Sequence, residues 1–505
     1  MIATATLTRR VAKFFGFAPK DSATPARREV HATFDSASSR NDNADYWASA
    51  DALDADSSHS KGVRQRLVTR SRYEVGNNGY TDGIVQTHAN HLVGVGPKLR
   101  MQTRSRGFNA IVETAWKNWT KETQFRRKFW CMAHAHTQDG EAFGVVRNNL
   151  ALRDPTQLDI VLFEAEQCTT PYLPVAKPGY IDGIEFDEFG NPVFYDVLKY
   201  HPGGQFFPMN YQQPEKIPAK FMLHWFQMRR PGQHRGIPAL KSTLNLGAQS
   251  RQWRQSTLTS ADIAARLSVI LKTQQNPNGE PDPVAALSEL PLTPGTMTAA
   301  PMGWDMSQMK SEHPNATYEA FNKAQISEQC RPLGMPYNIG ACDSSSHNFS
   351  SGKLDGQGYY ISLDVQREDA NDLVLDKVFG LWFERASLAY GWVGDPKSPP
   401  LHTWDWPQHP EADVKSIAEA NDIGLRNGTK SIRGVLADSS LDYDDVLPEM
   451  ADDFGKSEDE MKSILLQQLF PAPLAPQQSQ DSQAQKSADP KATDKTPAEG
   501  QQNAK

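Results

Sequence analysis

The chain is poor in cysteine, and its cysteines do not occur in pairs. The cysteines among its 505 residues are Cys131, Cys168, Cys330 and Cys342. A disulfide framework or a structural zinc site normally shows closely spaced pairs, and His134 and His136 near Cys131 lack a second pair of ligands. The sequence therefore predicts reduced thiols, as in cytosolic proteins, and no bound metal.

Long apolar runs and an excess of charge of one sign are also missing. No stretch approaches the ~18 apolar residues that a membrane-spanning helix needs, and the apolar patch at residues 11–17 is too brief for a secretory signal. The formal net charge is -7 and the pI is near 6.0. We therefore expect no membrane contact and no general affinity for polyanions based on overall positive charge.

Motifs for catalysis are absent as well. Residues 350–353 fit the S-x-x-K pattern of some serine hydrolases, but the S-D-N and K-T-G strings that accompany it are missing. Residues 424–431 resemble a phosphate-binding loop, yet Thr429 separates the glycine and lysine that must be adjacent. Neither H-E-x-x-H nor G-x-S-x-G occurs. The sequence predicts no enzyme and no cofactor.

The most distinctive stretch that is present covers residues 221–273. A strand-like apolar segment at 221–228 leads into a basic turn with the sequence RRPGQHRGIP at 229–238. A long helix is predicted from this turn to about residue 267, because Pro238 suits a first helical turn. Its surface is rich in Gln, Ser, Thr and Arg. We therefore expect it to pack beside copies of itself or to line a water-filled space.

The remaining patterns predict an α+β chain with a helix–module–helix excursion. Amphipathic helices are predicted near 84–92, 108–119 and 130–136, and strands near 141–146, 158–163 and 183–200. After the long helix, a strand at 267–272 and a Pro- and Gly-rich stretch predict a small module, from which a helix at 317–331 returns. The chain then continues with a polar loop at 338–356, a long helix at 357–388, and shorter helices up to 468.

The first helix after residue 60 carries a cluster of arginines, namely Arg64, Arg66, Arg70 and Arg72. A basic helix face of this kind is most often solvated. Contact with nucleic acid or with an acidic partner subunit is the alternative. The preceding residues 1–60 and the final residues 471–505 have the composition of disordered segments.

Several strings, taken in this order, resemble the portal proteins of tailed bacteriophages, and in particular the lambda-like group. They are NNGY at 77–80, HLVGV at 91–95, DGE at 139–141, HWF at 224–226 with the turn at 229–238, and GMPY at 334–337. The similarity covers roughly residues 60–450. The resemblance implies a ring, usually a dodecamer, at one capsid vertex, through which double-stranded DNA is packaged and ejected without regard to its sequence.

The same resemblance implies partners, a location and a division of the chain. The partners would be other copies of the chain, the terminase large subunit, major capsid and scaffolding proteins, and head-completion or adaptor proteins. The ring would be assembled in the cytoplasm of the bacterial host and remain in the virion. The implied parts are an arm (1–60), a wing (61–236 and 334–410), stem helices (237–266 and 313–333), a clip (267–312), a crown (411–470) and a tail (471–505).

Candidate site residues follow from this division. We expect the loop between the returning helix and the next long helix, 340–352, to project into the channel as a tunnel loop; its central residues are Asp343, Ser344, Ser345, Ser346, His347 and Asn348. Lys241, Arg251 and Arg254 are candidate stem cations, facing either DNA or a neighbouring subunit. The joint between wing and stem, expected to be mechanical, contains Arg229, Arg230, Arg235, Gly236 and Pro238.

Two other functional classes compete with this interpretation. A nuclease would need clustered carboxylates for two metal ions, and no suitable cluster is evident in the sequence. Another ring or adaptor protein of the head–tail connector, which binds its partners without threading DNA, is the stronger alternative. An electron micrograph of the purified protein separates these classes from a portal.

Overall fold

The computed structural model describes residues 44–170, 179–205, 213–265, 269–273, 304–308, 318–392, 399–409, 414–439, 441 and 443–470. The arm up to residue 43 and the tail from residue 471 lie outside these residues, as does most of the predicted module at 267–312. Within the described ranges, no helix is both long enough and apolar enough to cross a membrane.

After a 3-10 turn (Ala44–Trp47) and a single α-helical turn (Ala55–Ser58), the described fold continues with four helices and one short strand. They are α1 (Lys61–Asn77), α2 (Gly79–Val93), β1 (Lys98–Met101), α3 (Arg106–Glu122) and α4 (Phe125–Gln138). Asn78 has extended backbone between α1 and α2, so the Asn-Asn-Gly string separates two helices. At the start of α3, Ser105 Oγ accepts a hydrogen bond from Phe108 N–H, which satisfies one of the free donors of the first turn.

Antiparallel strands follow and form two sheets. They are β2 (Glu141–Asn148), β3 (Leu158–Phe163), β4 (Tyr180–Ile181), β5 (Ile184–Phe186), β6 (Pro192–Val197), β7 (Glu215–Pro218) and β8 (Met222–Phe226). In the first sheet β2 lies between β3 and β8, and β4 to β7 form the second sheet in chain order. Successive β2 side chains point to opposite faces. Ala142 and Val146 accordingly enter the main core, and Phe143 and Val145 enter a second cluster with the second sheet.

The chain then makes the excursion that its pattern predicted. Helix α5 (Leu244–Ala265) leads out, β9 (Val269–Thr273) pairs with β10 (Trp304–Gln308), and α6 (Tyr318–Cys330) returns. The ring of Trp253 stacks on Tyr318 with centroids 4.9 Å apart and meets Phe321 edge-on at 4.8 Å. The outgoing and returning helices therefore pack side by side.

The prediction that the outgoing helix starts beside Pro238 was wrong. Helix α5 begins at Leu244 and has 22 residues, which corresponds to about 33 Å. Before it, Lys241 N–H donates to Pro238 O at 3.2 Å, and Ala239 N–H donates to Thr137 O in α4 at 3.1 Å. Because this backbone bonds to the end of another helix, it forms turns instead of a helical ladder.

The loop after α6 is shorter than predicted. A single helical turn, Tyr337–Gly340, follows α6, and α7 (Phe349–Ala370) begins eight residues before the predicted start at residue 357. Asn348 Oδ1 accepts from Ser351 N–H at 2.8 Å, and Ser351 Oγ accepts from Asn348 N–H at 3.2 Å. This reciprocal capping sets the helix start. Gly352 therefore belongs to α7, and the loop is reduced to residues 341–348.

The predicted long helix at 357–388 is also interrupted. A π-helical turn, Asn371–Leu375, separates α7 from α8 (Asp376–Ala389), and β11 (His402–Asp405) pairs with β1. Trp406 Nε1 donates to Asn371 Oδ1 at 3.0 Å and Trp404 Nε1 donates to Asp376 Oδ1 at 2.6 Å. Indole donors that follow much later in the chain therefore hold both ends of this turn.

Aromatic side chains from α3 and α8 form the centre of the main core. Trp116 meets Trp382 edge-on at 5.2 Å and Phe379 at 5.6 Å, and Trp119 Nε1 donates to Leu158 O at 2.8 Å. Truncating a fully buried aromatic of this size costs about 3–5 kcal/mol. The core thus joins segments on both sides of the excursion into one body.

Short helices end the described chain. They are α9 (Val414–Arg426), α10 (Ile432–Asp438), α11 (Tyr443–Asp453) and α12 (Glu458–Leu469). Leu447 and Ala451 pack against Met461 in a small separate core. The predicted pair of helices at 412–437 and the acidic helical end are present.

Candidate functional site

The basic turn at 229–238 is held in shape by the side chain of Gln233. Its Oε1 accepts hydrogen bonds from Arg229 N–H at 3.0 Å and Arg230 N–H at 3.3 Å, and its Nε2 donates to Arg235 O at 2.9 Å. Gln233 is buried, whereas Arg229 and Arg230 are exposed. One side chain thus satisfies three backbone groups in a turn that has no strand or helix ladder of its own.

Arg235 points inward and forms a bidentate ion pair with Glu141, the first residue of β2. Arg235 Nη2 lies 2.7 Å from Glu141 Oε1, and Nε lies 2.9 Å from Oε2. The same guanidinium donates to the carbonyls of Ala165 and Cys168 at 3.2 and 3.1 Å. Both charged side chains are buried, so their hydrogen-bonding groups need partners within the protein instead of water.

Three further side chains complete this cluster. Arg64 of α1 lies 3.5 Å from Glu141 Oε1 and also pairs with Asp182, which in turn lies 3.4 Å from Arg235 Nη1. His224 Nε2 lies 3.2 Å from Glu141 Oε2. The cluster therefore joins the turn to α1, to strands β2 and β8 of the first sheet, and to the connection between β4 and β5 in the second sheet.

The protonation states follow from burial and from these partners. Burial alone would raise the pKa of Glu141, but Arg235, the hydrogen bond from His224 and Arg64 together hold it well below its ordinary value. Burial lowers the pKa of His224, although Glu141 opposes this shift. Near neutral pH, Glu141 is thus ionised and His224 is neutral, with its Nε2–H donating to the carboxylate.

The backbone comes unusually close at this point. A Cβ placed on Gly236 would lie 2.1 Å from Gly140 O, and one on Gly140 would lie 1.9 Å from the carbonyl carbon of Ile237. Gly140 also has a φ of 91°, a conformation that other residues rarely adopt. The strings DGE at 139–141 and RG at 235–236 are therefore two sides of one contact.

A segment from the start of the described chain covers the outer side of the turn. Asp56 accepts from His234 N–H at 3.1 Å and from His234 Nδ1 at 2.7 Å. Arg230 donates to Ser58 Oγ at 2.9 Å and to Leu53 O at 3.0 Å. Arg230 is thus exposed but already donates two hydrogen bonds within its own chain.

The expectation of a solvated basic face on α1 was wrong for two of its four arginines. Arg64 is buried in the cluster around Glu141. Arg72 lies 2.7 Å from Asp139, 2.7 Å from Glu164 and 2.9 Å from Glu166. These carboxylates are distant in sequence, so helix periodicity alone could not reveal them. Arg66 and Arg70 are exposed.

Among the described residues, one group lies close enough together to hold a metal ion, namely Glu164, Glu166 and His201. Arg72 already pairs with both carboxylates. His201 Nδ1 accepts from Gly203 N–H at 3.0 Å, which places the proton of the neutral ring on Nε2, facing the carboxylates. The negative charge of the two carboxylates is therefore offset by Arg72 of the same chain. Cys131, His134 and His136 do not form such a group.

Each candidate stem cation makes contacts, or is partly buried, within its own chain. Arg251 lies 2.9 Å from Glu74 and 5.3 Å from the centre of the Tyr73 ring. Arg254 donates to Asn78 Oδ1 at 2.8 Å and lies 4.9 Å from the Tyr80 ring centre. These contacts tie α5 to the junction of α1 and α2. Lys241 is half-buried, and burial, together with Arg229, lowers its pKa to about 8.

The candidate tunnel-loop residues form a compact turn against α6. Asp343 accepts from Tyr337 OH at 3.2 Å and from Ser345 N–H at 2.9 Å. Lys323 of α6 donates to Ser346 Oγ and lies 5.0 Å from the Tyr337 ring centre. His347 stacks on the same ring, His347 N–H donates to Ser344 O, and Asn348 caps α7. Only the outer ends of the predicted loop, residue 340 and residues 349–352, are helical instead.

Sequence reasoning found the turn but missed Glu141, Asp182 and His224 as its partners. The sequence did contain one signal for Glu141, the DGE string at 139–141. Its glycine has no side chain and so lets a second backbone segment approach closely, and its glutamate follows directly and can pair with a charge on that segment. Nothing local to Asp182 or His224 indicates a charge cluster, since their partners lie on other elements.

A family model and a named relative agree on one family. The family described as "Phage portal protein, lambda family" matches residues 40–355, more than half of the chain. A protein of Halomonas phage phiHAP-1 named "Probable portal protein" is 24% identical over 484 residues, which covers 88% of this chain and 90% of that protein. A chain in the neck of an empty GTA particle has a TM-score of 0.43 and 14% identity over 74% of this chain and 93% of its own length. A chain in the virion of a native gene transfer agent particle has a TM-score of 0.41 and 13% identity over 74% and 93%.

Proposed function

The chain belongs to the lambda family of phage portal proteins, and from this premise we propose that it forms a ring at one vertex of the capsid, with an axial channel that passes double-stranded DNA during packaging and ejection. The ring is a dodecamer, remains in the virion and is assembled in the cytoplasm of the bacterial host. Its partners are the terminase large subunit, capsid and scaffolding proteins, and head-completion or adaptor proteins.

The side-by-side packing of α5 and α6 is the observation that carries this proposal. Trp253, Tyr318 and Phe321 hold the two helices together, and the paired strands β9 and β10 lie between them in the chain. We assign 237–266 and 313–333 to the stem, with its outgoing helix starting at Leu244, 267–312 to the clip, 61–236 and 334–410 to the wing, and 411–470 to the crown. A stem helix with many Gln, Ser and Thr side chains suits a wall that faces neighbours and water.

The cluster around Glu141 is assigned a mechanical role, as the joint between wing and stem. Five charged or polar side chains, all largely buried, meet there, and each buried charge has directional partners that fix its position. A joint of this kind holds the direction in which the chain leaves the wing. It needs no reacting group, and His224 serves as a hydrogen-bond donor to Glu141.

The turn at 343–348 is assigned to the tunnel loop that faces DNA. It is small and polar, and it connects the returning stem helix with α7. Deleting residues 344–348 is expected to leave ring assembly intact and to reduce DNA packaging or retention. Normal packaging by that variant would refute the assignment. For Lys241, Arg251 and Arg254, contact with DNA or a neighbouring subunit remains a prediction beside the contacts described above.

Electron microscopy of the purified full-length protein tests the proposal most directly. The expected result is a turbine-shaped ring with an axial hole wide enough for a DNA duplex. Persistent monomers under all conditions tested would contradict it. A ring whose hole is too narrow for duplex DNA would instead favour a different connector component, which binds its neighbours without threading DNA.

A further inference from the structure

Helix α1 presents a stripe that is both basic and apolar to solvent. Val63, Arg66, Arg70 and Tyr73 follow one another at helical spacing and are all exposed, and Tyr73 is 56% exposed despite its contact with Arg251. Among the described residues, neither Arg66 nor Arg70 has a side-chain partner. The opposite side of the helix is buried, with Val68 in the protein interior.

Helix α7 and the π-helical turn after it present a stripe of the opposite charge. Leu354, Ile361 and Val365 are 69%, 66% and 56% exposed, and they share one face of the helix. Exposed acidic residues follow at intervals of four, namely Asp364 and Glu368 in α7 and Asp372 in the π-helical turn. Asp364 lies 2.8 Å from His409 Nε2 of its own chain, and Glu368 accepts from Asn371 Nδ2 at 2.6 Å. Exposed aliphatic side chains gathered on one face, with polar residues at their rim, mark an interaction surface.

The two stripes lie on helices that flank a common neighbour. The α1 stripe, from Val63 to Tyr73, is about 15 Å long at a rise of about 1.5 Å per residue, and the acidic end of the other stripe, from Val365 to Asp372, is about 10 Å long. Both helices pack against α2, and His88 of α2 bonds to Tyr359 of α7 at 3.0 Å. One subunit therefore carries both halves of a complementary pair at different places on its surface.

We propose that the α1 stripe of one copy packs against the acidic end of the α7 stripe of the next copy. Arg66 and Arg70 face Glu368 and Asp372, and Val365 meets an apolar end of the α1 stripe. A contact between two different faces of identical subunits propagates in one direction and closes into a ring when the rotation allows it. This inference rests on the proposed ring and names two of the surfaces that build it.

Charge reversal in the full-length chain tests the contact. One variant carries Arg66→Glu with Arg70→Glu, and a second carries Glu368→Lys with Asp372→Lys. Each places like charges across the contact, so the protein concentration needed for rings rises by at least about tenfold. The matched control is Arg126→Glu with Arg127→Glu, an equal change of charge on exposed residues of α4, which leaves ring assembly unchanged. Mass photometry measures the ring fraction.

Restoring the complementarity gives the decisive measurement. An equimolar mixture of the two variants regains rings, because acidic α1 stripes then meet basic α7 stripes, and basic α1 stripes meet acidic α7 stripes, in alternating order. A single chain with all four substitutions also regains rings. A variant that merely failed to fold could not be rescued in either way.

The outcomes separate this inference from the proposed function. If the unaltered protein never forms rings, the proposed function fails. If it forms rings and both charge-reversed variants do so equally well, the contact between α1 and α7 is refuted. The contact is also refuted if the Arg66→Glu and Arg70→Glu variant assembles normally but loses affinity for duplex DNA, since the α1 stripe would then bind nucleic acid.

Discussion

Replacing Arg235 with leucine tests whether the buried cluster supports the fold. The substitution removes the main counter-charge of Glu141, which is fully buried, and leaves the carbonyls of Ala165 and Cys168 without a donor that they now have. Breaking a buried ion pair by removing one partner costs about 3–5 kcal/mol. Arg64 remains 3.5 Å from Glu141, so we expect a loss of about 3 kcal/mol in the free energy of unfolding.

Urea denaturation followed by tryptophan fluorescence measures this loss, because Trp225 lies in β8, next to the cluster. With a slope of about 2 kcal/mol per molar urea, the midpoint falls by about 1.5 M. Arg229→Leu is the matched control, since it removes an exposed arginine from the same turn. Its expected effect is within about 0.5 kcal/mol.

A double substitution shows whether the loss comes from the ion pair itself. Glu141→Gln removes the charge that Arg235→Leu leaves unpaired, so the two changes together should cost less than the sum of their separate effects. The reasoning is refuted if Arg235→Leu shifts the midpoint no further than Arg229→Leu. It is refuted equally if the two effects add without coupling.

Other parts of the fold yield further predictions. Gly236→Ala should cost at least about 2 kcal/mol in the same urea assay, because its Cβ would lie 2.1 Å from Gly140 O, whereas Gly358→Ala, in open space on α7, should be neutral or slightly stabilising. Burial lowers the pKa of His88 from 6.5 to about 4, so only the unfolded chain binds a proton between these values. Stability from this group is therefore complete above pH 6.5 and falls by about 3 kcal/mol towards pH 4. His88→Gln should flatten that slope in urea titrations at successive pH values, and an unchanged slope would contradict the assignment. Trp253→Ala should speed amide hydrogen exchange in α5 and α6, as it removes two aromatic contacts worth about 1–3 kcal/mol together; unaltered exchange would mean that other contacts hold the pair.

The strands and the excursion could be predicted because their signals are local. Residues 141–146 and 158–163 are rich in apolar and β-branched side chains, which predict strands without knowledge of their neighbours in the fold. The structure has β2 and β3 at these positions. The break at Asn78 was likewise readable from the Asn-Asn-Gly string. In each case, the chemistry that decides the structure lies within a few residues of the segment itself.

The misplaced helix boundaries have causes outside their own segments. Helix α5 starts late because Ala239 N–H bonds to Thr137 O. The π-helical turn is flanked by side chains that accept hydrogen bonds from the indoles of Trp404 and Trp406, which follow about 30 residues later. The start of α7 was the exception, since Asn348 followed by Ser351 is a capping signal that the sequence displays. Pairings such as Glu141 with Arg235, separated by 94 residues, require the fold before they can be recognised.

The contacts of α5 and of the turn before it tie the proposed stem to α1 at two points. Before the helix starts, Arg235 fixes the chain to Glu141, and Arg64 connects that carboxylate to α1. Within the helix, Arg251 binds Glu74, again on α1. Since both attachments end on α1, we expect an axial force on α5 to be passed to α1, directly through Arg251 and Glu74 and also through the turns that join Arg235 to α5. The outward side of α1 is the stripe proposed to contact the next subunit, so strain in one stem would be shared with its neighbour through the same helix.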